Sequence, residues 1–239
     1  MNYNELDFNL SNRERELSMS AAFPALMRKV YVWMTFALAL TGFTAYGVAT
    51  SPGIITALYS NSILLWGLVI AEFAIVFGVS AAINRLSLTT ATLLFVLYSV
   101  INGALFSSIF LVYTMSSIAS VFFITAGTFG VMALVGYTTK KDLSSMGKIL
   151  FMALIGIIIA TIVNIFLKSS GLEMIVSYLG VLIFVGLTAY DTQKIKNMLL
   201  MAPDAGEASQ KIALLGALNL YLDFINLFIY LLRIFGRRE

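Results

Sequence analysis

The chain reads as an all-α integral membrane protein, a bundle of seven transmembrane helices. Composition is the first observation behind this: 60% of its 239 residues are hydrophobic and only 11% are charged, against about 25% charged in an ordinary soluble domain. The second is a series of seven apolar runs, each close to the 20 or so residues that span a bilayer as a helix. The third is the placement of the three prolines. Pro24, Pro52 and Pro203 all fall in the connections, so the runs are predicted to form regular helices without proline kinks.

In chain order the runs are Val30 to Ala49, Ile63 to Ile83, Leu88 to Val112, Ile118 to Tyr137, Ile149 to Leu167, Met174 to Tyr190 and Ile212 to Leu232. Residues 1–29 mix basic side chains (Arg13, Arg15, Arg28, Lys29) with acidic ones (Glu5, Asp7, Glu14, Glu16). They precede a run too long for the core of a cleaved signal peptide, so a cytoplasmic tail and a retained first helix are expected. Residues 30–235 then form the seven-helix domain and residues 236–239 a short basic tail. No soluble domain or low-complexity segment is evident.

With the N-terminus inside, the inner segments hold Arg13, Arg15, Arg28, Lys29, Arg85, Lys140, Lys141, Lys148, Lys194, Lys196 and Lys211, eleven basic residues against four outside. The excess of Lys and Arg on cytoplasmic loops supports this orientation. The ending RIFGRRE is in tension with it, since seven crossings put Arg233, Arg237 and Arg238 outside. Either the last helix crosses despite its tail or one weak run is re-entrant, the short Met174 to Tyr190 being the candidate.

The segments LVGYTTKK (134–141) and LTAYDTQK (187–194) echo one another. Such an echo fits a duplicated bundle of three helices. It equally fits two tyrosine and lysine clusters at a membrane edge.

The chain has no cysteine and no histidine. This excludes disulfides, thiol nucleophiles, the usual zinc and haem sites, and any catalytic triad needing an imidazole. No enzyme activity, cofactor or nucleic-acid partner is expected; the net charge of +3 fits orientation signals in the bilayer better than nucleic-acid binding.

The chemistry then rests on acids inside the membrane. In the last run Gly216, Asn219, Asp223, Asn226, Tyr230 and Arg233 recur every 3 or 4 residues, which places them on one helix face. An aspartate at mid-helix costs about 2.5 to 3.5 kcal/mol on insertion scales, so this stripe must face protein or water. An ion or proton role for Asp223 and helix-to-helix bonding by the asparagines are both open.

Glu72 sits in the middle of the second run. Arg85, thirteen residues on, is about 20 Å further along at helical rise and cannot neutralise it within the same helix. Glu72 is therefore protonated, solvated through a cavity, or matched by another helix. Asp191 ends the sixth run with Lys194 one turn on, and an interfacial ion pair would account for it. Depth alone sets Asp191 near the inner edge and Asp223 near mid-membrane, about 10 Å or more apart. Carboxylates in low dielectric, or close to each other, titrate nearer neutrality, and this is the route to pH sensing open to a chain without histidine.

A Tyr-Asp at the end of one span and an Asp inside a later one are also features of intramembrane aspartyl proteases. The detail differs: Leu220-Tyr221-Leu222-Asp223 stands where those enzymes carry Gly-x-Gly-Asp, and no proline follows Pro203. The closer resemblance is to the Bax inhibitor family, across roughly Arg28 to Gly236. It rests on Ala189-Tyr190-Asp191-Thr192-Gln193-Lys194 and on Leu220-Tyr221-Leu222-Asp223-Phe224-Ile225-Asn226-Leu227-Phe228, followed by Leu231-Leu232-Arg233. The chain is most similar to the bacterial branch.

That resemblance implies a bundle with the last helix central, enclosed by two related triplets, in the bacterial inner membrane. It implies a pH-sensitive calcium leak whose gate is a hydrogen-bonded pair formed by Asp191 and Asp223. Glu72, Asn219 and Asn226 would line the ion path, with Asp223, Asp191 and Glu72 as transient calcium ligands. Where relatives have an arginine this chain has Ile83, and Arg85 two residues later is the substitute. The rival expectation is an interaction protein that regulates a membrane protease or a stress response through residues 1–29, with no transport.

Overall fold

The structure, a computed structural model, describes residues 3–202 and 206–237, with side chains from residue 22 onward. Pro203 and Asp204 of the last connection, Arg238 of the basic tail and the charged side chains of residues 1–21 therefore lie outside the described residues. The elements are α1 (Tyr3–Ala49), α2 (Pro52–Ser60), α3 (Ser62–Ala82), α4 (Leu88–Phe106), α5 (Ile109–Val112), α6 (Met115–Thr138), α7 (Ser144–Leu167), α8 (Ser170–Leu200) and α9 (Glu207–Phe235).

Seven segments are long and apolar enough to cross a membrane: Ala22–Ala49, Ser62–Ala82, Leu88–Val112, Met115–Thr138, Ser144–Leu167, Ser170–Leu200 and Glu207–Phe235. Local chemistry sets where several begin. Asn61 accepts from the Ile63 and Leu64 amides, Ser87 from Thr90, Thr114 from Ser117 and Ser169 from Leu172, each satisfying donors that a helix N-terminus leaves free. Pro52 opens α2 at a first-turn position, where its missing N–H is no loss.

One expectation fails here. Pro24 is not in a connection: it lies inside α1, within the crossing segment that starts at Ala22. A proline removes a single backbone bond. Two residues from the end of the apolar segment, the freed carbonyl is within reach of interfacial water, so the helix tolerates it. The third run also divides, α4 giving way to α5 at Ser107 and Ser108, whose hydroxyls bond back to the Ala104 and Leu105 carbonyls.

The last helix is the axis of the bundle. Of its apolar window 67% is buried, against 6% for α3 and for α7. α9 packs on α1 and α4 from one side and on α6 and α8 from the other; α3 packs on α4, and α7 on α8. The result is two triplets, α1/α3/α4 and α6/α7/α8, around α9. Both echoing segments, 134–141 and 187–194, belong to the second triplet, so their likeness is not the relation between triplets. They meet instead where a Cβ on Gly136 would collide with the Ala189 carbonyl, a small-residue contact of the kind that lets membrane helices approach closely. Each carries a tyrosine with a lysine over its ring, Lys196 on Tyr137 and Lys194 on Tyr190.

The last helix also runs from one end of the bundle to the other. At its start Glu207 Oε1 accepts from the Leu88 amide and Gln210 Oε1 from Lys29. At its finish the Arg237 amide donates to Ser117 Oγ, and the Arg237 carbonyl accepts from Thr114. Residues 207–210 thus share an end with the starts of α4 and of the α1 crossing, and Arg237 shares the opposite end with the start of α6. No run is re-entrant among the described residues.

Candidate functional site

The polar stripe of α9 faces a cleft of about 980 Å³ bounded by α7, α8, α9 and Phe73 of α3. From α9 come Asn219, Asp223, Asn226 and Tyr230; from α8 Tyr190, Asp191 and Lys194; from α7 Gly147 and Lys148. Gly216 is used differently: it packs on Ile195 and closes the stripe's lower end. Arg233, at the upper end, lies over the Tyr230 ring at 5.6 Å from its centroid.

Inside this cleft the carboxyl groups of Asp191 and Asp223 meet in side-chain hydrogen-bonding contact. Asp223 is 5% exposed and its Oδ2 has no hydrogen-bond partner among the described residues; Asp191 is half-buried. Two carboxyl groups in such contact need at least one proton between them, because two carboxylates have only acceptors to offer. The pair therefore carries a single negative charge or none while α8 and α9 stay in this register.

The separation expected from depth does not hold. Hydropathy falls at Tyr190 but the helix does not end there: α8 continues to Leu200, burying Thr192, Gln193, Ile195 and Leu199 while Lys194 faces out. Asp191 thus lies in the body of α8. Gly180 packs on Tyr230 and Gly216 on Ile195, an antiparallel register that leaves Asp191 within one turn of Asp223. The Lys194 ammonium sits 5.9 Å from the Tyr190 ring centroid and acts on Asp191 as a nearby charge.

Glu72 finds its partners on α4. Tyr98 Oη donates to its Oε1 at 3.1 Å and Asn102 Nδ2 at 2.5 Å, so another helix matches the membrane glutamate. Tyr98 in turn packs edge-on against Tyr221 of α9, with ring centroids 5.7 Å apart, and Tyr221 Oη bonds Thr41 Oγ1 at 2.7 Å. This polar chain lies apart from the aspartates: Glu72 does not line the cleft, although its neighbour Phe73 does. Among the described residues no three acidic side chains gather to hold a metal ion. The set Asp223, Asp191 and Glu72 is accordingly not a preformed calcium site. Arg85 is exposed in the turn between α3 and α4 and does not line the cleft.

Two residues of the AYDTQK segment have roles its spacing did not disclose. Gln193 Oε1 accepts from the Leu143 amide at 2.8 Å and its Nε2 donates to the Lys141 carbonyl at 2.9 Å, tying the α6–α7 loop to α8 beside the pair. The Tyr190 ring fills the space a Cβ on Gly147 would take, joining α7 to α8 at the cleft wall. In that loop Asp142 accepts from Ser144 through the serine hydroxyl and then its backbone amide, which holds this exposed carboxyl below the usual range. Tyr230 lines the cleft with the rest of the stripe; Lys148 was not singled out, since a membrane-edge lysine carries no signal of its own.

Residues 24–239 match the family model described as "Inhibitor of apoptosis-promoting Bax1", Bax1-I. The chain is 53% identical over 220 residues to the inner membrane protein YbhL of Escherichia coli strain K12, covering 92% of this chain and 94% of that one. It is 45% identical over 231 residues to an uncharacterized protein of Borreliella burgdorferi, covering 97% and 98%. An uncharacterized protein of Deinococcus radiodurans is 41% identical over 213 residues, covering 89% and 90%.

Proposed function

The chain belongs to the Bax inhibitor family, and from that premise we propose that it is an inner-membrane cation leak, passing calcium, gated by protonation of the Asp191–Asp223 pair. The observation that carries this reading is the carboxyl contact itself, placed where the central helix meets α8 at the wall of a largely apolar cleft into which the polar stripe of α9 faces. Its relative YbhL is an inner membrane protein. The gathering of Lys29, Arg85, Lys141, Lys148 and Lys211 at one end of the bundle supports placing that end in the cytoplasm.

With one proton shared, the pair latches α8 to α9. Loss of that proton as pH rises leaves two like charges in contact, a repulsion of about 4 kcal/mol at a 4 Å separation and an effective dielectric of 20. Relief comes from moving α9 away from α8 and from cations drawn to the carboxylates. A cation following the cleft meets oxygens of Asp191, Asp223, Asn219 and Asn226, the hard ligands that calcium takes. Asn226 is held in place by its Nδ2 bond to the Leu222 carbonyl at 2.8 Å. The acids act as gate and ligands here, not as catalysts. Glu72 serves the path indirectly, by fixing α3 to α4 and so Phe73 at the cleft mouth.

The test is calcium entry into sealed proteoliposomes holding the full chain and a calcium indicator. Entry is expected to be low near pH 6 and to rise toward pH 8. Absence of entry at every pH would remove the leak reading and leave regulation of a partner, such as a membrane protease, in its place.

A further inference from the structure

Asp191 meets Asp223 only while α8 keeps one height and one rotation, and the structure fastens this stretch of α8 to the α6–α7 hairpin. Ala189 packs on Gly136 of α6, and the Tyr190 ring packs on Gly147 of α7. One turn on, Lys196 Nζ donates to the Tyr137 carbonyl at 2.7 Å. Between these contacts stands Gln193, only 8% exposed. Its Oε1 accepts from the Leu143 amide at 2.8 Å and its Nε2 donates to the Lys141 carbonyl at 2.9 Å. We infer that Gln193 is a positioning residue of the gate, which holds Asp191 in register with Asp223 by clamping α8 to the α6–α7 loop. Its effect on flux rests on the proposed leak; the clamp itself does not.

The loop depends on this side chain. Residues 139–143 form no helix or strand, and Leu143, the last residue before α7, brings no capping side chain of its own. Gln193 supplies both a donor and an acceptor, on main-chain groups either side of Asp142. A neutral amide is suited to this, since it donates and accepts at once without adding a charge beside the acids.

Direction makes the clamp specific to the gate. Residues 191 and 193 are about 200° apart around a helix of 3.6 residues per turn, so Gln193 holds α8 from the side opposite Asp191. A rotation of α8 that parts Gln193 from the loop also swings Asp191 off Asp223. The other titratable groups near the pair are Lys148 of α7, Tyr190 and Lys194 of α8 and Tyr230 of α9, with Tyr31 of α1 beside Thr192 and Tyr137 of α6 beneath Lys196. Replacing Gln193 leaves all of them in the chain, so a changed pH profile reads the position of the pair.

Gln193→Met keeps the length of the side chain and removes both bonds. In sealed proteoliposomes at pH 6 the variant should admit about fivefold more calcium than wild type, the worth of one net hydrogen bond, and its entry should rise at a lower pH. Infrared difference spectra between pH 6 and pH 8 give a readout free of transport. The carboxyl C=O band of the pair, identified by its absence from Asp191→Asn with Asp223→Asn, should move to higher frequency in Gln193→Met as its hydrogen bond weakens. Gln193→Asn, an amide one methylene too short to reach both loop groups, should shift the band the same way and carries the test if Gln193→Met does not fold. Tyr59→Phe, which removes bonds to the Leu105 carbonyl and the Ser108 amide at the far end of α4, should leave it unchanged. If no variant and no wild type admits calcium, the leak reading fails and the infrared band still decides the clamp. A wild-type band in the folded Gln193 variants, or an equal shift in Tyr59→Phe, would overturn the proposal.

Discussion

A chain carrying Ile195→Cys and Gly216→Cys, once oxidised, is expected to lose calcium entry at pH 8 and to regain it on reduction. A Cβ at Gly216 lies 2.9 Å from Ile195 Cγ2 and 3.1 Å from Cγ1, which puts the two Cβ atoms at the short end of the roughly 3.5 to 4.5 Å that a disulfide spans. The bond would staple α8 to α9 one turn from Asp191, where the gate must part. The covalent bond fixes the separation of the two Cβ atoms, so α8 and α9 cannot part at this level while it is intact. The native chain has no cysteine, so no other thiol can interfere. Undiminished entry in the oxidised protein would show that flux does not need α8 and α9 to separate.

Gly136→Val is expected to have the largest effect on stability. The new Cβ would run into the carbonyl, Cα and carbonyl carbon of Ala189, all of them backbone and unable to swing aside. Overpacking a rigid contact costs about 1 to 3 kcal/mol, and the upper end applies because α6 must leave α8. The measurement is thermal unfolding of the purified protein in detergent, where Gly136→Val should melt well below wild type or fail to fold. Gly156→Val is the control: its Cβ meets nothing within 4 Å, so its melting should match wild type. A wild-type melt for Gly136→Val would mean the α6–α8 crossing is looser than the geometry requires.

The architecture was legible from hydropathy because a membrane helix must satisfy its backbone internally and cover itself in apolar side chains. The stripe through Asn219, Asp223 and Asn226 was legible because periodicity shows which face a helix buries. The contact between Asp191 and Asp223 was not readable from spacing; it came only with the family resemblance. The apolar run stops at Tyr190, yet α8 persists for ten more residues with Thr192, Gln193, Ile195 and Leu199 buried. Hydropathy marks the change of surroundings there and is silent on the backbone.

Other misses have similar causes. Pro24 was assigned to a connection because the apolar run was read as starting at Val30, whereas the crossing segment starts at Ala22 and a proline is tolerated near an end that water reaches. Glu72 could be recognised as needing a partner, but Tyr98 and Asn102 look like any polar residues on a crossing helix until α4 is seen beside α3. Gly136 and Ala189 belong to an echo that suggested duplication, and their meaning is a close crossing of α6 with α8.

The most direct test of the gate compares calcium entry at pH 6 and pH 8 for wild type and for Asp191→Asn with Asp223→Asn, each checked for folding by its melting curve. Two amides bond to each other without a shared proton and never ionise, so the latch should stay shut. The double variant is predicted to show, at both pH values, the low entry of wild type at pH 6. A folded double variant whose entry still rises with pH as in wild type would contradict gating by this pair.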